Sequence, residues 1–151
     1  MPTFAPPAAL AHLAPRHQVA FLAAAARKPD VRAKLLYGIA LQRIERPVSA
    51  ERQFAAAAAL APDDPQAQVA AAVGRYDKDH PERAFSQLGP LTRRFPDAQT
   101  VRFHLGLLSL WIGDFAEARK QLRLAVSDGP KTPFAREAET LLARLGSVGT
   151  N

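Results

Sequence analysis

Residues 105–130 read LGLLSLWIGDFAEARKQLRLAVSDGP, two apolar runs interrupted by Gly113-Asp114. Extended back to Ala98, the first run carries Phe103, Leu107 and Leu110 at helical spacing; the second carries Ala118, Leu122 and Ala125 along one face. Gly113-Asp114 breaks the first helix, and Ser127 to Pro130 ends the second. The stretch therefore predicts a helical hairpin. A two-helix unit cannot bury its apolar face alone, so the next question is whether it recurs.

It recurs at a fixed interval: Gly38, Ala72 and Gly106 fall in register, as do Ala50, Ala84 and Ala118. Phe54, Leu88 and Leu122 follow, then Ala57, Leu91 and Ala125, and Pro62, Pro96 and Pro130 close the set. Small residues at Gly106 and Ala118 let two backbones approach, and Leu122 and its counterparts fill the space between hairpins. Stacked copies share a core, and about three are needed for stability. Pro47 and Pro81 sit where the second helices of the first two units begin, a place where a missing amide hydrogen is harmless.

This pattern resembles the tetratricopeptide repeat family, in its period and in Leu105, Gly106, Ala118, Leu122, Ala125 and Pro130. The first unit matches at Gly38, Leu41, Ala50, Phe54, Ala57 and Pro62; the second departs at Ala72, Arg75 and Leu91. The resemblance implies an all-α fold, a right-handed superhelix (solenoid) of three hairpins over residues 31–64, 65–98 and 99–132. Phe21, Ala24 and Pro29 precede Phe54, Ala57 and Pro62 by one position less than the period, so residues 16–29 read as an N-terminal half repeat. Residues 133–146 read as a capping helix, with Phe134, Ala138, Leu141, Leu142 and Leu145 on one face and mostly polar residues on the other. Residues 8–146 are expected to form one domain, with 1–7 disordered and 147–151 a tail.

Composition agrees with this class. The chain has 151 residues, 48% of them apolar and 23% charged, enough for one domain with a core. Ala, the best helix former, is abundant. The absence of cysteine excludes disulfides, thiolate catalysis and Cys-ligated zinc. No apolar run approaches the roughly 18 residues of a membrane span. The first residues lack a basic region and a continuous apolar core, as a signal peptide would need, so a cytoplasmic protein is expected. The excess of Arg over Lys, with the Ala content, points to a GC-rich bacterial genome.

The net charge of +6 permits contact with nucleic acid or an acidic partner, but the charges are scattered, as on solvated helix faces. YDKDHPER, residues 76–83, gathers Asp77, Asp79 and His80, yet matches neither an EF-hand loop nor a helical His pair. It reads as an inter-helix turn, capped by Asp79 or His80, with Pro81 and Glu82 in the first turn of the next helix. His104 reads as a partly exposed helix residue. No phosphate loop, nucleophile elbow or supported carboxylate pair is present, so neither enzyme activity, cofactor nor metal is expected.

The resemblance also implies where a partner sits. In that family the first helices line a concave groove, at positions that here hold Arg32, Leu35, Ile39, Arg43, Val69, Val73, Tyr76, Asp77, Phe103, Leu107 and Trp111. The family's carboxylate clamp is absent, its places being taken by Leu35, Leu36, Ile39, Gln66 and Ala70. An apolar peptide or amphipathic helix suits such a groove, and the expected function is protein binding as an adaptor, co-chaperone or assembly factor. The alternatives are a homo-oligomeric module whose groove is covered by its own chain or a second copy, and a basic nucleic-acid-binding repeat.

Overall fold

The structure is a computed structural model and describes residues 8–148. The expected disorder of residues 1–7 and most of the expected tail lie outside those residues. Within them every regular element is helical: a 3₁₀ turn at Ala8–Leu10, then α1 (Pro15–Ala25), α2 (Val31–Arg43), α3 (Pro47–Leu60) and α4 (Pro65–Val73). There follow α5 (Glu82–Arg94), α6 (Gln99–Trp111), α7 (Phe115–Asp128) and α8 (Pro133–Val148). The fold is therefore all-α, and α8 continues past the expected end of the cap to Val148.

The chain divides into two compact units, one ending at Arg75 and the other beginning at Tyr76. The division falls between α4 and α5, inside the second of the three expected repeats. In the first unit α1 packs on α2, α2 on α3 and α3 on α4, and α2 also meets α4. In the second, α5 packs on α6, α6 on α7 and α7 on α8, and α6 also meets α8. The two units share a plan. Val31 and Gln99, Pro47 and Phe115, and Pro65 and Pro133 begin corresponding helices, each pair separated by two full periods of the repeat.

Burial follows the repeated columns. Ala50, Ala84, Ala118, Phe54, Leu88, Leu122, Ala57, Leu91 and Ala125 are all buried. Leu88 and Leu122 are removed completely from water, worth about 1.5–3 kcal/mol apiece. The glycines make this packing possible. A Cβ at Gly38 would overlap the Phe54 ring, with Cδ1 only 2.8 Å away. One at Gly106 would lie 2.8 Å from Leu122 Cγ and 3.2 Å from its backbone nitrogen. In the first unit core clusters form around Phe54 with Leu35 and Ile39, and around Leu10, Leu22, Leu36 and Ala40. In the second a cluster forms around Phe103, Leu122, Ala138 and Leu145.

Polar side chains close the helix ends. Asp30, Asp64 and Asp114 accept from the amides of Ala33, Gln66 and Glu117 at 2.8, 2.9 and 3.0 Å. Side chains from neighbouring helices satisfy C-terminal carbonyls. Lys34 donates to Ala26 O, Gln68 to Ala58 O, and Gln99 to Ala125 O and Gly129 O. Two expected details differ. Pro81 is the N-cap of α5 and not its first helical residue, and no side chain caps that end. Asp77 instead accepts from Asp79 N at 2.9 Å, which orders the turn one step earlier. In α1 the buried residues are Gln18 and Leu22, with Ala26 next, while Phe21 is 60% exposed, so the expected register of Phe21 on Phe54 is off by one position.

Candidate functional site

The turn between α6 and α7 gathers large apolar side chains in water. Trp111, Ile112 and Phe115 are 44%, 46% and 48% exposed, around Gly113 at φ 80°. The positive φ explains why glycine stands there, since a side chain in the left-handed region meets its own backbone. Asp114 caps α7 and is followed by Glu117 in its first turn, which fixes the exit of the turn. Tyr76 packs on Trp111 with ring centroids 4.9 Å apart, so the indole is held on one side and open on the other. Aromatic rings ordered in this way are low-entropy contacts for a partner.

The residues expected to line the groove fall into two groups. Leu35 and Ile39 are buried in the Phe54 cluster, and Val69 and Val73 are buried on α4. Phe103 is buried against Phe134, centroids 5.1 Å apart. These five are buried and present almost no surface to a partner. Their helices bury two faces, which a single apolar stripe in the sequence does not distinguish from one buried and one open face. Arg32, Arg43 and Trp111 are exposed or part-exposed, and Tyr76, Asp77 and Leu107 are part-buried. Of the six that are not buried, the structure brings Tyr76 and Trp111 into contact. Ile112 and Phe115, which lie beyond the family's groove positions, escape a groove-based reading; their signal is two large apolar residues flanking a Gly-Asp turn.

His104 is wholly buried, contrary to expectation. Its Nδ1 lies 2.6 Å from the Thr100 carbonyl, which can only accept, so the proton sits on Nδ1. Nε2 then has no hydrogen-bond partner. Burial lowers the imidazole from 6.5 to about 4, partly opposed by the bond to Thr100. The ring stacks edge-on against Phe103 and Phe134, at 5.2 and 5.8 Å between centroids. It is a neutral member of an aromatic core and is closed to any partner.

Asp77, Asp79 and His80 do not assemble a cation site. His80 faces Glu82 at 3.3 Å and Lys78 faces Asp79 at 3.3 Å, both in open solvent. Among the described residues no three His, Cys, Asp or Glu side chains converge as metal ligands. Among the same residues no helix is long and apolar enough to cross a membrane. No protein-family model matches the chain, and no curated protein matches it closely enough to count as a relative.

Proposed function

We propose that the chain is a binding module and not an enzyme: a tetratricopeptide-type solenoid that holds a protein partner through an apolar anchor site. The observation that carries the reading is the half-exposed Trp111–Ile112–Phe115 corner with Tyr76 packed on the indole. Exposed aromatic clusters of this kind are uncommon on isolated monomers and mark interaction sites. The recurrence of helix starts at two-period intervals and the Gly38–Phe54 and Gly106–Leu122 contacts support the repeat assignment. Leu107, Asp77, Tyr76 and Trp111 remain the groove-side contacts of the second unit in this reading, and an amphipathic helix is the matching ligand.

The test is affinity capture from the native host's lysate with wild type and a Trp111→Glu, Ile112→Ser variant. Both substitutions are on exposed residues, and circular dichroism checks that helix content is kept. Phe103→Glu is unsuitable, because it buries a carboxylate in the core. A protein held by wild type at both low and high salt and lost by the variant is the expected result. Capture that is equal for both proteins overturns the reading. Capture only of the chain itself, with a mass that rises with concentration, favours the homo-oligomeric alternative. Binding that collapses with salt favours nucleic acid.

A further inference from the structure

At the corresponding turn of the first unit the chemistry is reversed. Arg43, Ile44, Glu45 and Arg46 stand two periods before Trp111, Ile112, Gly113 and Asp114. This turn and the start of α1, with Arg16 and His17, enclose an open cleft of about 860 Å³. That volume lies within the range of small-molecule sites, roughly 300–1,000 Å³. It is far larger than a bare ion requires.

Three arginines and one glutamate line it. Among the described residues none of Arg16, Arg43 and Arg46 is paired with an acidic group. α1 and α3 both start at this cleft, and neither start has a side-chain cap, so no capping side chain offsets their partial positive charge. Ile44, Ala14 and Pro15 give the cleft an apolar wall.

The turn itself does not demand these residues. Glu45 has φ 59°, where the second unit's turn has Gly113 at φ 80°. A glutamate in the left-handed region is strained, and a glycine would build the same turn without strain. A basic, strained sequence therefore stands where a relaxed one without basic groups serves the fold in the sister unit.

We infer that the cleft formed by Arg16, His17, Arg43 and Arg46 is a binding site for a phosphorylated small molecule. Guanidinium groups bind phosphoryl oxygens in pairs, and three of them match a dianion or a diphosphate. The apolar wall holds the organic body. Glu45, at the rim of the positive charge, accepts from a hydroxyl or amine of that body.

The probe is inorganic pyrophosphate, titrated calorimetrically into the full chain at fixed ionic strength. Wild type binds one equivalent, and Arg16→Ala with Arg46→Ala weakens it about tenfold or more, at unchanged helix content. Arg27→Ala removes a positive charge at the far end of α1 and leaves the affinity within about twofold. Pyrophosphate is a polyanion, so Glu45→Gly tightens it by removing a like charge. Four results overturn the proposal: no binding to wild type, an equal loss in Arg27→Ala, a weakening in Glu45→Gly, or equal affinity for citrate. Retention of a single-stranded oligonucleotide without any pyrophosphate binding overturns it as well and assigns the charge to a polymer.

Discussion

Phe54 and Leu122 occupy the same place in the two units, two periods apart, and each has neighbours cut to its size. The ring of Phe54 is flanked by Gly38 and Gly74, whose Cβ positions would fall within 2.8 and 2.7 Å of it. The smaller Leu122 keeps Gly106, while position 142, the counterpart of Gly74, holds a leucine packed on the same cluster. The two columns change size in opposite directions, as close packing favours. The glycine column was legible in the sequence, but this exchange was not, because it links two columns that only the packing joins. Glu45 is a second residue with a clear consequence. Its left-handed backbone is strained by about 1–2 kcal/mol, so Glu45→Gly raises the urea unfolding free energy by about 1 kcal/mol, the rest being offset by a freer unfolded chain. His104 gives the third. Its folded value of about 4 lies below the unfolded 6.5, so between the two the unfolded chain takes up a proton that the native state refuses. Its contribution to stability is whole above pH 6.5 and is lost as pH falls toward 4, by about 1.4 kcal/mol per pH unit at the steepest. Urea titrations at pH 7 and pH 5 measure the loss, and His104→Leu removes that part of the slope. A slope shared equally by wild type and variant would show that other groups carry the acid sensitivity.

Helices differ in how many neighbours they have, and that decides which residues the periodicity reveals. α1 packs on α2 and the N-terminal turn, so only the stripe of Gln18, Leu22 and Ala26 is buried. Gln18 donates to Leu13 O at 2.8 Å, which fixes that stripe and leaves Phe21 outside. A pattern matched on residue type favours the phenylalanine, whereas the hydrogen bond selects the leucine. α6 is the opposite case. It meets α5, α7 and α8, and buries Val101, His104, Leu105 and Leu108 as well as Phe103. A helix enclosed on several sides has no polar face for His104 to join, and a two-faced helical wheel is misread there. α5 carries a flaw that helical periodicity does not register. Pro90 lies inside it, exposed, so Ser86 O loses an amide partner one turn away. Thr92 Oγ1 donates to Gly89 O at 2.7 Å, which serves a different carbonyl. Pro90→Ala therefore stabilises α5 by about 2 kcal/mol, after allowance for the wider unfolded ensemble. Thermal unfolding monitored by circular dichroism tests it, and an unchanged or lower midpoint would mean that the proline is accommodated without strain.

Across the molecule, the period was the most legible feature, because packing fixes the spacing of small and large residues within a hairpin. The surface was the least legible. Residues 43–46 and 111–114 build the same turn, one with two arginines and the other with none, and no rule of folding relates their side chains to each other. Of the expected groove positions, Leu35, Ile39, Val69, Val73 and Phe103 went to the cores, since an apolar residue on a first helix serves a neighbouring helix as readily as a ligand. The cores are themselves distinct: Phe54 and Leu35 anchor one, Leu122 and Phe103 another. Within each unit packing runs from one helix to the next, so a local injury is felt most by the elements that share its core. Ala118 is completely buried beside Leu122 in the second unit's cluster. Ala118→Leu overfills a site with no spare space and destabilises by about 1–3 kcal/mol. Hydrogen exchange should therefore quicken in α6, α7 and α8, which contribute Phe103, Leu122 and Ala138 to that core, by about five- to a hundredfold. Amides of α2 and α3, around Phe54, should keep their wild-type rates. Equal acceleration in α2 and α3 would mean that the chain opens as one cooperative body, and the two cores would then be parts of a single folding unit.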